Sequence, residues 1–315
     1  MVAQSRFKTK HIFTGIVVLA LVVLVIWQSG ILQEEKQVPR IGIAQFVEAP
    51  ALVSARDGFL AGLEEEGFVA GEDFELVEEN AQADFAVAQT IARKFQQDDL
   101  DLVLAIATPC AQAVANVIQE VPVLITAVTD PVSAGLVPSL EEPGGNLTGT
   151  TDLNPVADQL QLIRDFVPGV KTIGIIYNSG EINSVVQVEI ARKAAEEMGL
   201  ELREATVTNT SEVALAASAL IDRVDAIYIP TDNTVAAAFP SVVKVTNPKG
   251  IPVFGSERAQ VEQGAIATKG IDYFLLGKQT GKMAAEILRG KEPENMPIEG
   301  SKELKLVINT KAAAE

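Results

Sequence analysis

Beyond residue 40 the chain alternates short apolar runs with longer stretches whose apolar positions recur every three or four residues. Ile41–Phe46, Leu102–Ile106 and Pro122–Thr126 have the length and apolar continuity of buried strands, and Phe74–Glu78 alternates as a half-buried one does. Between them, residues 51–66 place Leu52, Phe59, Leu60 and Leu63 on one side of a helix that Gly67 stops. Asp84–Gln96 sets Phe85, Ala88, Ile91, Ala92 and Phe95 at helical spacing, and Ala111–Ile118 reads as a further helix. The alternation then resumes with strands at Ile173–Tyr177, Glu201–Thr206, Ala226–Ile229, Pro252–Phe254, Ile266–Thr268 and Leu304–Ile308. Helices are predicted at Ser184–Met198, Ser211–Ile221 and Leu275–Arg289, with Asn209 and Glu212 spaced for a capping box. Strands separated by helices predict an α/β fold with parallel sheets covered on both faces.

The second series repeats the first. "RIGIAQF" at Arg40–Phe46 returns as "TIGIIYN" at Thr172–Asn178, and "LEEEGF" at Leu63–Phe68 as "AEEMGL" at Ala195–Leu200. "DLVLAIATP" at Asp101–Pro109 returns as "DAIYIPTD" at Asp225–Asp232, and "VPVLITA" at Val121–Ala127 as "IPVFGSE" at Ile251–Glu257. Four landmarks in one order, each displaced by about 130 positions, predict two Rossmann-like lobes; the period is far too long for a solenoid. A ligand cleft between the lobes follows, lined by the loops at the carboxyl ends of the strands. Those loops are "AQFVEAP", "ATPCAQ" and "TAVTDPVSAG" in one lobe and "YNSGEINS", "PTDNT" and "GSERAQVEQG" in the other. None is a Gly-x-Gly-x-x-Gly or Walker loop, so nucleotide binding has no support.

Charge and composition narrow the function. The net charge is −17; Arg6, Lys8 and Lys10 put +3 on residues 1–33, so the remainder carries −20. Such a domain repels phosphate backbones, and no nucleic-acid partner is expected. Cys110 is the only cysteine and His11 the only histidine, so an internal disulfide, a Cys-based zinc site and a Ser-His-Asp triad are excluded. Cys110 is expected to be a small buried side chain, with no histidine to activate it.

Ile12–Trp27 carries no charge, and the uncharged stretch continues to Leu32. As a helix, Ile12–Leu32 would span roughly 31 Å, about one hydrocarbon core. The basic residues precede it, so residues 1–33 are expected to be a cytoplasmic tail and signal anchor, with everything after Leu32 exported. The alternative is a cleaved signal peptide, which would leave a secreted or periplasmic protein; no small-x-small site follows the run. Residues 34–39 read as a linker.

The loops carry a resemblance. "AIATPCAQAVAN" (Ala105–Asn116), "TAVTDPVSAGLV" (Thr126–Val137), "PGGNLTGTTDLNP" (Pro143–Pro155), "IGIIYNSGEINSVVQ" (Ile173–Gln187), "IPTDNTV" (Ile229–Val235) and "GIDYFLLGKQTGKMAAEIL" (Gly270–Leu288) occur in order between Arg40 and Lys311. With these the chain resembles the substrate-binding proteins of bacterial ABC importers, in the family whose members bind tryptophan, tyrosine or phenylalanine. The resemblance implies a periplasmic-binding-protein fold with three crossovers, near Asn154, Ile271 and Met296. One lobe is then residues 40–154 plus 272–296, and the other 155–271 plus 297–315. It further implies a monomer that captures an amino acid without a cofactor or metal. The chain would deliver its ligand to an ABC permease and, through it, the ATPase subunit; no bond is made or broken. A ligand-sensing ectodomain, or a hydrolase built on Asp130 with Asp232 or Glu257, are the alternatives. Two features depart from the family: Ala49-Pro50 stands where a His-Pro is frequent, and no lipidation cysteine follows the apolar stretch.

A zwitterion needs donors for its carboxylate and acceptors for its ammonium. Thr108, with Pro109 behind it, ends a strand before a helix start and could hold a carboxylate, or could simply cap the helix. Thr129 and Asp130 end another strand, where Asp130-Pro131 is also an ordinary turn start. Asn178, Asn183 and Ser184 lie where a strand passes into a helix, and helix capping alone would explain the last two. Thr231, Asp232 and Asn233 end the strand "AIYIPTD"; Asp232 is the expected ammonium partner, since a desolvated cation needs a nearby anion. Glu257 is a second acidic candidate. Gln45 and Phe46 end the first strand, Phe46 either against the ligand or in the core. Tyr273 and Phe274 are expected to be packing residues.

Overall fold

The computed structural model describes residues 38–314. The apolar stretch Ile12–Leu32 lies outside them; among the described residues no helix is long and apolar enough to cross a membrane.

Strands β1 (Arg40–Gln45), β2 (Glu75–Asn80), β3 (Leu102–Ile106), β4 (Val123–Val128) and β5 (Leu147–Thr151) run parallel in one sheet, with β1 between β2 and β3. Helices α1 (Pro50–Glu65), α2 (Phe85–Gln97) and α3 (Thr108–Ala115) connect the first four strands. The chain then passes through Asp152–Pro155 into α4 (Val156–Phe166) and the second sheet, β6 (Thr172–Asn178), β7 (Glu201–Val207), β8 (Ala226–Tyr228) and β9 (Val253–Phe254). There β6 lies between β7 and β8, again all parallel. Helices α5 (Ile182–Met198), α6 (Val213–Leu220), α7 (Asn233–Ala237), α8 (Phe239–Thr246) and α9 (Arg258–Glu262) belong to this half.

Strand β10 (Ala267–Ile271) leads into α10 (Tyr273–Leu288), which returns to the first half and lies along α1. Four glycines make that approach possible: a Cβ on Gly58, Gly62, Gly277 or Gly281 would overlap the facing helix backbone. Next, β11 (Glu299–Gly300) pairs with β5, so the chain stays with the larger sheet to Gly300, past Met296. Finally β12 (Leu304–Ile308) runs antiparallel to β10 in a two-stranded sheet.

The repeated landmarks perform the same work in each half. Asp101 accepts the N–H of Arg40 at the start of β1 (2.8 Å), and Asp225 accepts those of Lys171 and Thr172 at the start of β6 (2.8 and 2.9 Å). Gly67 and Gly199 end their helices with φ of 86° and 70°, the left-handed conformation that favours glycine. Along β6 the alternation sends Ile173, Ile175 and Tyr177 to one apolar layer and Ile176 to the other. Phe46 belongs to the core of the first half, and burial of Cys110 pushes its thiol up.

Several elements went unread in the pattern. β5 reads "LTGTT", with too few apolar residues to signal a strand, yet all five are buried. Helix α3 begins at Thr108, three residues before the expected Ala111, because Pro109 suits a first helical turn. The capping box at Asn209 is displaced by one residue: Glu212 accepts the N–H of Thr208 (2.8 Å), while Asn209 accepts that of Ser211 (3.1 Å).

Candidate ligand-binding site

The carboxyl ends of β4 and β5 are irregular. Their register shifts between Ile125 and Val128, Ala127 takes φ 55°, and Gly149 opposite has no room for a Cβ against Ile125 O. A bulge of this kind re-aims the residues beyond it. It brings the Thr129 hydroxyl to Asp152 Oδ1 (2.9 Å), and Thr151 Oγ1 ties down the Thr129 carbonyl (2.7 Å). On its other side Asp152 Oδ2 accepts the Tyr273 hydroxyl (2.6 Å), from the first turn of α10. Asp152 is 1% exposed. Burial holds its carboxyl above the usual range, although the two hydroxyl donors pull the other way.

Glu257 comes to the same place from the second half, at the junction of β9 and α9. It occupies the N-cap position of α9 but makes no side-chain capping bond, and it is 6% exposed. Burial, and then the charge of Asp152, push its carboxyl up to about 8. Neither carboxylate is paired with a Lys or Arg among the described residues. Close by, Gln260 Oε1 accepts the Ser256 N–H (2.8 Å), whereas the buried Gln260 Nε2 has no partner.

The facing wall is a polar node built on two further acids. Asp232 accepts the Asn178 N–H (2.6 Å), the Ser184 hydroxyl (2.7 Å) and, as N-cap of α7, the Val235 N–H (2.7 Å). Glu181 accepts from both the backbone and the side chains of Asn233 and Thr234. Burial and the charge of Glu181 push Asp232 up. Asn183 Nδ2 donates to the Thr231 carbonyl (3.1 Å), but its Oδ1, also buried, has no donor. Asn154, in the first crossing segment, donates to Thr231 Oγ1 (2.9 Å).

Together these residues enclose a cavity of about 20 Å³, lined from the first half by Ala49, Ala51, Leu52, Ala127, Thr129, Asp152 and Tyr273. The second half contributes Asn183, Thr231, Asp232, Asn233, Ala236, Ser256, Glu257 and Gln260. Of the residues expected from sequence, Thr129, Asn183, Thr231, Asp232, Asn233 and Glu257 meet here. Ser184 and Asn178 stand behind the wall, holding Asp232. Gln45, Phe46, Thr108 and Pro109 are buried away from the cavity, and Thr108 Oγ1 has no partner. Asp130 closes its own turn, accepting from the N–H groups of Val132 (3.1 Å) and Ser133 (3.0 Å).

Sequence reasoning passed over Asp152, Gln260 and the Ala51–Leu52 helix start, and assigned Tyr273 to packing. The signal for Asp152 was its place after "GNLTGTT", a run with no apolar reason to be buried.

The described fold has two parallel-sheet lobes and three crossing segments, with buried polar groups gathered between the lobes. The model of the family described as ABC transporter substrate binding protein matches residues 40–315, and the chain belongs to that family. It is 42% identical over 276 residues to the "Tyrosine-binding protein" of Clostridioides difficile (strain R20291), covering 88% of this chain and 80% of that one. Among solved structures it resembles an ABC domain from Streptococcus pneumonia in complex with L-Trp, with 39% identity, TM-score 0.85 and coverage of 88% and 93%. It also resembles the ligand-free, open structure of a substrate binding protein with adhesive properties from Clostridium difficile, with 44% identity, TM-score 0.67 and coverage of 88% and 95%. Higher identity here accompanies the lower TM-score.

Proposed function

We propose that the chain is the extracytoplasmic substrate-binding component of an ABC importer and that its ligand is an amino acid, most favourably an aromatic one. The observation that carries this reading is the uncompensated acid in the cleft. Glu257 is buried against the cavity with neither a cation nor a capping bond, Asp152 beside it has two hydroxyl donors but no cation, and Asn183 Oδ1 is a buried acceptor without a donor. Burying a carboxylate is strongly unfavourable unless a cation or donors replace the lost water. A ligand's ammonium group supplies both.

The reading moves the ammonium partner from Asp232 to Glu257 and Asp152. Asp232 already accepts three hydrogen bonds from its own lobe, whereas Glu257 accepts no capping bond. Small side chains at Ala49, Ala51, Ala127 and Ala236 concede volume to a ligand side chain once the lobes part, and Tyr273 offers an aromatic face. The tyrosine-binding relative and the L-Trp complex support an aromatic ligand. Capture by lobe closure, delivery to a permease and its ATPase, and anchoring through residues 12–32 complete the proposal; the ligand leaves chemically unchanged.

Titration calorimetry of the purified full chain against the twenty amino acids tests this. Tryptophan, tyrosine or phenylalanine should bind and be recovered intact. Binding of a sugar or polyol but of no amino acid would overturn the ligand class, and conversion of the ligand would overturn the non-enzymatic role.

A further inference from the structure

Resting on the amino-acid reading above, we propose that the ligand's free carboxylate is held between the start of α1 and the Gln260 side-chain amide, one donor group from each lobe. A free carboxylate is then what joins the lobes, and the protein rejects amino-acid amides, esters and amines.

Helix α1 begins at Pro50 after Ala49, which offers no side-chain cap. Pro50 has no N–H to give, and the Val53 N–H already bonds to the Ala49 carbonyl (3.0 Å). The amides of Ala51 and Leu52 are therefore those left without a helical acceptor. Both residues are buried, at 7% and 5% exposure, and both line the cavity. They stand at the positive end of a sixteen-residue helix, where an anion is favoured.

Gln260 is the independent observation. It is 1% exposed, lies on α9 in the other lobe and lines the same cavity. Its orientation is fixed, because Oε1 accepts the Ser256 N–H (2.8 Å). A glycine at 255 permits this fold-back, since a Cβ there would overlap Gln260 Oε1. Nε2 is consequently a buried donor with no acceptor among the described residues. The cavity thus presents unsatisfied donors at Gln260 and α1, and unsatisfied acceptors at Glu257 and Asn183. That is the complement of a zwitterion. An amide would bring its own N–H groups against these donors, and an amine would leave them empty.

Titration calorimetry on the full chain with L-tryptophan, L-tryptophanamide and tryptamine reads this directly. The acid should bind about 100-fold or more tightly than the amide, because a site built to hydrogen-bond a group rejects analogues that leave it unpaired. Gln260→Glu keeps the acceptor for the Ser256 N–H and replaces only the donor, so it should bring the acid-to-amide ratio within about tenfold of unity. Gln260→Met, which removes the donor without adding charge, should also narrow the ratio, and thermal melting checks that each variant folds. Acid and amide binding equally to the unaltered protein, or a ratio unmoved in a folded variant, would overturn the proposal while leaving the amino-acid reading intact. Binding of none of the aromatic amino acids would overturn both.

Discussion

In the first lobe β1 lies between β2 and β3, and Asp101 ties the start of β1 to the neighbouring loop. In the second, β6 lies between β7 and β8, and Asp225 makes the matching tie. The ends of those strands have nothing comparable in common. β3 runs through Ala107 (φ 78°) into α3, where the buried Thr108 hydroxyl has no partner and the cavity is not reached. The equivalent end of β8 carries Asp232 and Asn233, locked into Glu181, Asn178 and Ser184 against the cavity. Duplication thus accounts for the scaffold, whereas the cavity chemistry comes from unrepeated features. These are the β4 bulge that aims Thr129, Asp152 at the crossing, Tyr273 on α10, and Glu257 with Gln260 on the β9–α9 turn.

The sharpest way to break this contrast is to neutralise one acid of each kind. Glu257→Gln should weaken amino-acid binding by about 100-fold, in line with removing one partner of a buried charged pair. It should also leave the ligand-free protein as stable or more stable above pH 8, where the Glu257 carboxyl is ionised, since it removes an uncompensated buried charge. Calorimetry and thermal melting read the two effects. Asp232→Asn should behave in the opposite sense. The substituted side chain would keep Oδ1 as the cap for the Val235 N–H, but an amide nitrogen in place of Oδ2 leaves the Asn178 N–H and the Ser184 hydroxyl without their acceptor, which should cost about 1–3 kcal/mol in denaturant unfolding. Affinity in the folded fraction should change only a few-fold. If Asp232→Asn abolishes binding while Glu257→Gln does not, the ammonium assignment is reversed.

A gentler probe is pH. The Glu257 carboxyl is held at about 8 in the fold against an ordinary 4.5, so the folded chain binds that proton more tightly than the unfolded chain. Its stabilising contribution is complete below the ordinary value and is lost as pH rises through about 8, so the ligand-free melting temperature should fall between pH 5 and 8. A bound ammonium favours the ionised carboxylate. Affinity should therefore rise over the same window, by up to about tenfold per pH unit, with proton release. A flat affinity profile from pH 5 to 8 would remove Glu257 from the account. Smallest of all, Asp101→Ala and Asp225→Ala should each cost about 1 kcal/mol of stability and leave affinity unchanged. Unequal costs would mean that the repeated ties are not equivalent.

The scaffold was largely legible because its signals are local. Apolar runs such as Leu102–Ile106, and stops such as Gly67 and Gly199, mark elements wherever they fall. "LTGTT" was not legible, since a strand buried beneath α10 can be made of Thr and Gly when the hydroxyls pair with one another. Thr126, Thr150 and Thr280 do so at 3.1 and 2.8 Å. The site divided in the same manner. Loops at strand ends pointed to Thr129, Asn183, Asp232 and Glu257, yet which acid is left unsatisfied depends on three-dimensional partners. Asp232 gains three donors through folding and Glu257 gains no capping bond, and no spacing in the sequence distinguishes them.

Where the ligand's ammonium group sits separates the two acids, and a crystal structure of the chain with bound L-tryptophan or L-tyrosine would show its position. The ammonium nitrogen should lie within hydrogen-bond reach of Glu257 and Asp152, between the lobes. An ammonium resting on Asp232 with Glu257 turned away, or a ligand seated at Thr108, would contradict it.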